Sequence, residues 1–372
     1  MAKIPKTNMR AIIFAGGVGT RMWPISRTST PKQFEKMIGT KSTLQLTLDR
    51  LRPAFAWENI YISTGQKYIS IIRRQLPKIP AKNIIGEPEM KDLGPAVGYA
   101  LSVLKRSQQD GDKPVAILWS DHIMQKANLF KKVLIAGAKY IKNNPDKFLF
   151  LGHKARFANQ NLGWIEVGKK ISRIDGSEVY EFKSWKYRPD QKTADKFYNS
   201  KKHYWNLGYW VVKPDFVLDQ YKKFAPEIYK KLQLIMKDYA SPKALSTLKR
   251  IYPTMEKISF DDAILEKLEC KKAVVLVADF GWSDVGTWQA LKEALQKDQK
   301  DCVLKGEVFL NGECEDNIVY NYNKKQLIVG IDLKGFSVVN TGDVLMICPL
   351  SSMPKIKQVV TTFKEGKNKK YT

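Results

Sequence analysis

The chain has 372 residues, of which 44% are hydrophobic, and a formal net charge of +26 at pH 7. This length allows two domains with cores of their own. No apolar run approaches the roughly 18–20 residues of a membrane span, and the first six residues lack the apolar core of a signal peptide. We therefore expect a soluble, cytoplasmic protein with no membrane partner.

The cysteines and the excess of positive charge bear on two further classes, metal-binding and nucleic-acid-binding proteins. The four cysteines form no Cys-x-x-Cys pair and stand at no metal-ligand spacing from the three histidines, which predicts reduced, structural thiols. Lysines are scattered over the whole chain, and no zinc finger, helix-turn-helix or aromatic RNA-binding pattern occurs. A lysine-rich surface that favours anionic substrates is a more economical interpretation than a specific nucleic-acid partner, which remains the charge-based rival.

The segment from residue 14 to 34, FAGGVGTRMWPISRTSTPKQF, follows a short apolar run that predicts a buried strand. Its three glycines let the backbone turn sharply and bring N–H groups close to a ligand. Arg21 and Lys32 add a cation at each end of the loop. A Walker A loop would need Gly-Lys-Ser/Thr here, and a dinucleotide fingerprint would need a glycine in place of Met22. The combination predicts a polyphosphate-binding loop rather than a plain glycine turn.

Strand-like and helix-like segments alternate through the first 150 residues. The strand-like runs are 11–14, 59–63, 84–85, 115–119 and 148–151, and the helical patterns are 42–51, 65–76, 95–105 and 129–141. This alternation predicts an α/β fold with a parallel sheet covered by helices. Ligands bind such sheets outside the carboxyl ends of the strands, where the glycine loop and Asp121 both fall.

The later part of the chain changes character twice. Residues 162–213 predict strands and loops, and helical patterns resume over 215–250 and 288–296. From about residue 300, short strand-like runs separated by turn residues predict a small β domain, followed by a helix over 351–363 and a frayed, lysine-rich end. We predict domains over residues 1–298 and 299–372.

Two carboxylates are candidates for a metal site. Asp121, followed by His122, closes the strand 115–119, where a carboxylate can hold a hard cation such as Mg²⁺. A turn or cap role is the alternative for this residue. The segment 279–288, DFGWSDVGTW, has a density of aspartate, glycine and tryptophan that a core rarely needs, although an aromatic turn before a helix would also explain it.

These residues carry a resemblance to a known family. The pattern Gly-Gly-x-Gly-Thr-Arg-x-x-Pro-x-Ser, followed by Pro-Lys-x-Phe, resembles the signature of the sugar nucleotidyltransferases. Three features resemble the mannose-1-phosphate guanylyltransferase branch of that family: Trp23, the run Lys32-Gln33-Phe34 and the segment 280–288. The match covers roughly residues 10 to 290, and the C-terminal part resembles the family's short left-handed β-helix domain. The resemblance implies a Rossmann-like, mostly parallel mixed sheet flanked by helices, and it suggests a homodimer.

The resemblance also implies a role for individual residues. It assigns the chemistry to Arg21, Lys32, Asp121 and Asp284, with the two aspartates as ligands of Mg²⁺. The implied nucleotide-binding residues are Ala15, Gly16, Gly17, Gly19, Thr20, Arg21, Glu89, Asp92, Gly94 and Ser120. The implied sugar-phosphate residues are Gly163, Tyr187, Arg188, Asn206 and Asp261.

The implied reaction is nucleotidyl transfer from GTP to mannose 1-phosphate. An oxygen of the sugar phosphate attacks the α-phosphorus of GTP in line and expels pyrophosphate, which leaves GDP-mannose. The nucleophile is already an anion, so no general base is needed, and catalysis consists of positioning and neutralisation of charge.

Three substrate-recognition loops depart from the family pattern, whereas the phosphate and metal residues are kept. Tyr187 replaces a glutamate, the run 91–94 (Lys-Asp-Leu-Gly) replaces Arg-Asn-Thr-Ala, and Gly163-Trp164 stands where Gly-Tyr-Gly-Tyr is common. A phenol can donate or accept one hydrogen bond, whereas a carboxylate accepts several. Another sugar 1-phosphate or another base therefore stays open, as does a catalytically weak, regulatory homologue that binds a nucleotide-sugar.

Overall fold

The computed structural model describes residues 4–17, 19–106 and 113–372, so Val18 of the glycine loop lies outside the described residues. The chain forms two compact units. The first unit comprises residues 4–16, 48–120 and 125–280, and the second unit comprises residues 17–47, 121–124 and 281–372. The sequence-based domain boundary at residue 298 stays a prediction.

The strands and helices have the following bounds. The strands are β1 (Arg10–Phe14), β2 (Ile60–Gly65), β3 (Ile84–Glu87), β4 (Val115–Trp119), β5 (Ile123–Met124), β6 (Phe148–His153), β7 (Gly163–Ile174), β8 (Ser177–Tyr187), β9 (His203–Val212), β10 (Ala273–Ala278), β11 (Trp282–Ser283), β12 (Val303–Lys305), β13 (Val308–Asn311), β14 (Ile318–Asn321), β15 (Ile328–Ile331), β16 (Phe336–Asn340) and β17 (Leu345–Pro349). The helices are α1 (Thr43–Leu51), α2 (Ile69–Gln75), α3 (Leu93–Arg106), α4 (Ala127–Asn143), α5 (Gln191–Ser200), α6 (Pro214–Phe224), α7 (Pro226–Lys237), α8 (Ala244–Ile251), α9 (Phe260–Ala263), α10 (Trp288–Leu295) and α11 (Ile356–Glu365).

The first unit is built on a mixed sheet that has nine strands within the described part of the chain. Their order is β3-β2-β1-β4-β9-β6-β10-β8-β7. Strands β8 and β9 run opposite to the other seven, because β9 pairs antiparallel with β4, β6 and β7, and β8 pairs antiparallel with β7 and β10. The predicted α/β class with a mostly parallel mixed sheet is confirmed.

Strand β1 lies in the middle of the parallel half of this sheet, between β2 and β4. All five of its residues are buried, as expected for an apolar run covered on both faces. Phe14 pairs with Trp119 in parallel register, so β1 and β4 end side by side. Ala15 and Ser120, which follow them, therefore leave the sheet at the same carboxyl edge.

Helices α3, α6 and α7 pack against one another, and α4 packs against β4, β6 and β9. Gly98 lies at the α3–α7 contact, where a Cβ built on it would lie 2.7 Å from Leu232 Cδ1 and would force that side chain to shift. Side chains of these helices and of the sheet form one apolar cluster that includes Ile12, Leu101 and Trp210. Burial of this cluster is the main source of stability for the first unit.

Helix α5 lies in a region for which the sequence predicted only strands and loops, so that prediction was wrong there. Asp190 caps the helix by accepting a hydrogen bond from the Thr193 N–H at 2.8 Å. Lys201 ends it in the left-handed conformation. The helix is short and mostly polar, with only three apolar residues, Ala194, Phe197 and Tyr198, of which Ala194 alone is fully buried, so its helical signal in the sequence is weak.

The C-terminal part of the second unit contains the predicted small β domain. Strands β12, β14 and β16 pair in parallel, with β17 antiparallel at the edge, and β13 pairs in parallel with β15. Residues in line across this stack, such as Val303, Ile318 and Ser337, come from successive turns of the chain. Two parallel sheets that alternate along the chain are typical of a short β-helix.

The lysine-rich end is ordered, which corrects the prediction that it is frayed. Residues Lys369–Tyr371 form a 3-10 turn, and the Tyr371 carbonyl accepts a hydrogen bond from Trp23 Nε1 at 2.8 Å. A partner 348 residues away in sequence gives no local signal. Within the described residues, every helix is too short or too polar to cross a bilayer.

Candidate functional site

The predicted site residues fall in both units. The second unit holds Gly17, Gly19, Thr20, Arg21, Lys32, Asp121 and Asp284. The first unit holds Ala15, Gly16, Glu89, Asp92, Gly94, Ser120, Gly163, Tyr187, Arg188, Asn206 and Asp261.

The glycines of the loop have two different structural roles. A Cβ at Gly16 or Gly17 would meet no atom within 4 Å, so the fold itself leaves open space beside their backbone. Gly19 has φ of +65°, and a Cβ there would lie 2.8 Å from Lys32 Cγ. Gly19 is thus required for the turn and for the packing of Lys32, whereas Gly16 and Gly17 leave room for a ligand.

Lys32 and Asp121 form an ion pair in the second unit. The Lys32 Nζ lies 2.8 Å from Asp121 Oδ2, with the side chains 8% and 29% exposed. The Lys32 turn is fixed by Ser26, whose Oγ accepts a hydrogen bond from the Lys32 N–H at 3.1 Å. An ammonium has three N–H donors, so Lys32 can bind Asp121 and a phosphate oxygen together.

The pKa of Asp121 is lowered from its ordinary value. Burial alone raises the pKa of this carboxyl group, but the charge of Lys32, the neighbouring His122 and the hydrogen bond from Lys32 together outweigh it. Asp121 is therefore a carboxylate at neutral pH, which is the form that binds a hard cation.

A short sheet carries Asp121 and the predicted motif around Asp284. Strands β5 and β11 pair antiparallel, with Ile123 opposite Ser283. Trp282 Nε1 donates a hydrogen bond to His122 Nδ1 at 3.1 Å. Neutral His122 consequently carries its proton on Nε2, which lies 3.9 Å from Asp121 Oδ1.

Arg21 and Asp284 meet around Gly286. Arg21 is exposed on a 3-10 turn, Thr20–Met22. A Cβ at Gly286 would lie 3.2 Å from an Arg21 guanidinium nitrogen and 3.4 Å from Asp284 Oδ2. Between Asp284 and Gly286, Val285 is buried with φ of 34°, a strained conformation for a β-branched residue. The backbone is thus held in an unfavourable conformation beside the Asp284 carboxylate.

In the first unit, four of the predicted sugar-phosphate residues lie together. Gly163 pairs with Tyr187 across β7 and β8, and a Cβ at Gly163 would lie 3.4 Å from Asn206 Cβ and 3.8 Å from Tyr187 Cδ2. The Arg188 guanidinium carbon lies 5.0 Å from the centre of the Tyr187 ring. Arg188 has φ of 44°, so the chain turns sharply where this cation is presented. Tyr187 is 59% exposed and available to a ligand.

A second group in this unit joins Asp92, Gly94 and Asp261. The Gly94 N–H donates to the Ile258 carbonyl at 2.9 Å, which brings the two segments together. Burial, together with the charges of Asp262, Glu266 and Asp92, raises the pKa of Asp261 to about 6. Asp261 therefore changes its protonation state just below neutral pH, and at pH 7 it is mostly a carboxylate that can accept hydrogen bonds from hydroxyl groups.

The remaining predicted nucleotide residues are set by backbone geometry or by a surface ion pair. The Ala15 N–H donates to the Ser63 carbonyl at 2.8 Å, and the Ser120 N–H donates to the Phe14 carbonyl at 3.1 Å. Glu89 is half exposed and pairs with Lys91 at 3.2 Å. Glu89 is therefore held less firmly than the backbone at the carboxyl ends of β1 and β4.

Comparison with known proteins assigns this chain to a family. Residues 10–301 match the family described as Nucleotidyl transferase. The chain belongs to the nucleotidyl transferase family. This membership confirms the predicted class, an enzyme of the sugar nucleotidyltransferases.

Individual relatives of this nucleotidyl transferase are similar over most of its length. "Mannose-1-phosphate guanylyltransferase 2" of Escherichia coli O157:H7 is 31% identical over 368 residues, which are 97% of this chain and 74% of the relative. A mannose-1-phosphate guanylyltransferase of Salmonella typhimurium is 30% identical over 364 residues, 97% of this chain and 73% of the relative. A crystal structure from Thermus thermophilus, described as mannose-1-phosphate geranyltransferase, has a TM-score of 0.83 at 22% identity and covers 96% of this chain and 100% of its own. That structure shows the nucleotidyl transferase fold.

Sequence reasoning missed three residues of the second-unit group in this nucleotidyl transferase. Ser26 fixes the turn of Lys32, Gly286 makes room between Arg21 and Asp284, and Trp282 sets the tautomer of His122. All three stand inside the quoted motifs, so the signal was present, but their contacts cannot be read from spacing.

No group of three or more histidine, cysteine, aspartate or glutamate side chains that could hold a metal ion occurs over residues 4–17, 19–106 and 113–372. Asp121 and Asp284 nevertheless provide the hard oxygen donors that Mg²⁺ prefers. Mg²⁺ usually takes one or two protein carboxylates and completes its coordination with water and substrate phosphates. The donor set therefore fits Mg²⁺ better than a metal that needs an all-protein site.

Proposed function

We propose that the chain transfers the guanylyl group of GTP to mannose 1-phosphate and forms GDP-mannose and pyrophosphate in the presence of Mg²⁺. The main support is the second-unit group, in which Lys32 pairs with Asp121 at 2.8 Å and Arg21 and Asp284 both face Gly286. Two cations and two carboxylates match a polyphosphate together with a metal ion. The choice of GTP and mannose 1-phosphate rests on the names of the relatives and on the guanylyltransferase form of the motifs.

In this proposal the triphosphate is bound by the open backbone at Gly16 and Gly17 and by the Arg21 guanidinium. Lys32 neutralises charge that grows on the α- and β-phosphates. Asp121 and Asp284 hold Mg²⁺, which supplies charge neutralisation to the phosphate oxygens when it is bound. The lowered pKa of Asp121 keeps that ligand ionised at the working pH.

The group in the first unit binds the sugar phosphate. Arg188 pairs with the phosphate, and Asn206 and the Tyr187 hydroxyl bind sugar hydroxyls. The Asn206 carboxamide is already oriented, since its Oδ1 accepts a hydrogen bond from the Gly208 N–H at 2.9 Å. Its Nδ2 is thereby directed as a donor towards a hydroxyl oxygen.

The chemical step is an in-line displacement. A phosphate oxygen of the sugar attacks the α-phosphorus, and pyrophosphate leaves on the opposite side. The nucleophile carries its own negative charge, so the protein contributes position and fixed positive charge rather than a base. We also propose that the enzyme acts in the cytoplasm as a homodimer.

A different sugar 1-phosphate is the second candidate, and Tyr187 is the observation that favours it. A phenol replaces the glutamate of the family pattern, is 59% exposed, and lies beside Arg188. It offers a ring face and one hydroxyl instead of several acceptor sites. This difference changes which hydroxyls are recognised and leaves the phosphate chemistry as it is.

The proposal is tested by pyrophosphate release over a matrix of nucleoside triphosphates and sugar 1-phosphates, with and without Mg²⁺. We expect the highest kcat/KM for GTP with mannose 1-phosphate and a strong dependence on Mg²⁺. A higher value with another pair would correct the substrate. No release with any pair would contradict enzymatic function and favour the regulatory homologue.

A further inference from the structure

The backbone that follows Arg21 is anchored by the C-terminal part of the second unit. Trp23 is 6% exposed, and its Nε1 donates to the Tyr371 carbonyl at 2.8 Å. The Trp23 carbonyl accepts a hydrogen bond from Trp288 Nε1 at 3.0 Å. The Phe363 ring in α11 packs against the indole ring in a T-shaped arrangement, with the centroids 5.6 Å apart and the planes at 84°. Side chain and backbone of Trp23 are therefore held from three positions.

A second anchor lies at Arg27, six residues after Arg21. Its two terminal nitrogens bind the Asp343 carboxylate at 2.7 and 2.8 Å, and its Nε donates to the Pro24 carbonyl at 3.0 Å. Two parallel hydrogen bonds fix the orientation of both groups as well as their separation. The hydrogen bond from Arg27 is also the main cause that lowers the pKa of Asp343 to about 2, so this anchor persists over the whole neutral range.

The segment that contains both anchors, residues 19–31, has little regular structure to hold it. Apart from the 3-10 turn Thr20–Met22, residues 19–31 contain no helix or strand. Such a segment loses about 1–2 kcal/mol of conformational entropy per residue when it becomes fixed. Contacts that fix it before a ligand arrives remove that loss from the binding step, which is the physical meaning of preorganisation.

We propose that Trp23 and Arg27 are positioning residues. Through them, the β domain and α11 hold residues 19–31, the phosphate loop, in the conformation that binds the triphosphate. The inference rests on the proposed function for its assignment of Arg21 to the triphosphate. Arg21 itself is exposed while Met22 and Trp23 next to it are buried, so the cation projects from a fixed turn. Loss of an anchor lets the turn move, and Arg21 then meets the phosphates in many orientations.

The test compares Asp343→Ala and Trp23→Phe with wild type and with a matched control. Glu313→Ala is that control, because Glu313 also pairs with a cation of the β domain, Lys334 at 2.7 Å, but does not touch the loop in any described contact. Asp343 is half exposed, so Asp343→Ala leaves the core intact. Trp23→Phe keeps an aromatic ring and removes the donor to the Tyr371 carbonyl.

The first readout is amide hydrogen exchange of residues 19–31, which needs no substrate. We expect exchange to be about tenfold faster in both anchor variants and unchanged in Glu313→Ala, since a charge-assisted or buried hydrogen bond contributes on that scale. The second readout is kinetic. The KM for GTP should rise about tenfold and kcat should fall in the anchor variants, with the KM for mannose 1-phosphate unchanged.

Unchanged exchange in both anchor variants would overturn the inference, and so would a common shift of both KM values in all three variants. If wild type shows no turnover, the proposed function fails separately. Calorimetric binding of inorganic triphosphate to the same variants then decides the inference. Weaker binding in the anchor variants alone supports it, and equal binding in all of them overturns it.

Discussion

Replacement of Lys32 by methionine tests the phosphate group at its most constrained point. Methionine keeps most of the aliphatic stem that packs against Gly19 and removes the charge that lies 2.8 Å from Asp121. The change therefore separates the electrostatic role of Lys32 from its packing. We expect a large loss of turnover and a smaller loss of stability.

The structure sets the scale of both losses. Unit charges 2.8 Å apart attract by about 6 kcal/mol at an effective dielectric constant of about 20. Desolvation of the 8% exposed ammonium offsets much of this attraction. Asp121 keeps 29% of its exposure, so the net loss of unfolding free energy should be about 1–3 kcal/mol, between the values for exposed and buried pairs. For turnover, loss of one transition-state partner corresponds to about 10²–10³ in kcat.

The loss of stability should depend on pH in a defined direction. The pKa of Asp121 is lowered in the folded protein, so its contribution to stability is present above its ordinary pKa and is lost as the pH falls through the lowered value. The difference in unfolding free energy between wild type and Lys32→Met should therefore be largest at neutral pH. It should shrink in acid.

The assay combines steady-state kinetics with urea unfolding of Lys32→Met, Asp121→Asn and the double variant. A double-mutant cycle should give a coupling free energy of about 1–3 kcal/mol for unfolding. Lys334→Met, which removes an exposed cation from the β domain, is the matched control and should change neither quantity. Turnover of Lys32→Met within about threefold of wild type, or a coupling below about 0.5 kcal/mol, would refute the reasoning.

Four further predictions concern the loop, the first unit and the assembly. Gly17→Ala should fold like wild type, because the added Cβ meets no atom within 4 Å, but it should raise the KM for GTP at least about tenfold. Gly366→Ala is the control, and equal KM values for GTP in the two variants would contradict this prediction. Asn206→Ala should raise the KM for mannose 1-phosphate about tenfold without changing the KM for GTP. An equal rise in both KM values would show that Asn206 has only a structural role. Burial raises the pKa of Glu87 to about 7, so its contribution to stability is complete below its ordinary pKa and is lost as the pH rises through 7. The unfolding free energy of wild type should therefore fall between pH 5 and 8, and Glu87→Gln should make this fall smaller by up to about 3 kcal/mol. If urea unfolding gives wild type and Glu87→Gln the same dependence of unfolding free energy on pH, the prediction is wrong. The homodimer expected from the resemblance should give twice the mass of one chain in light scattering, and a monomer at every concentration would contradict it.

The alternating elements of the first half could be predicted because each buried strand is a continuous apolar run. Strand β1 is an example, since all five of its residues are buried. Helix α5 could not be predicted in this way, because its apolar face consists of three residues only, Ala194, Phe197 and Tyr198, and its start is set by the Asp190 cap. The ordered end of the chain was also missed, since its anchor is Trp23 near the other end.

The candidate site shows the same division between local and distant information. The loop glycines, Arg21 and the two aspartates could be named from motif chemistry alone. The ion pair between Lys32 and Asp121 joins residues 89 positions apart, and it depends on a turn fixed by Ser26. The raised pKa of Asp261 likewise follows from burial and from neighbouring carboxylates that only the folded chain brings together.

The most direct test of the proposed reaction is to measure its products. Wild-type protein is incubated with GTP, mannose 1-phosphate and Mg²⁺, and GDP-mannose and pyrophosphate are quantified by mass spectrometry and an enzymatic assay. We predict equal amounts of the two products, formed only when the sugar phosphate is present, and a loss of about 10²–10³ in rate for Lys32→Met. Consumption of GTP without GDP-mannose, or pyrophosphate released at the same rate without the sugar phosphate, would contradict the account.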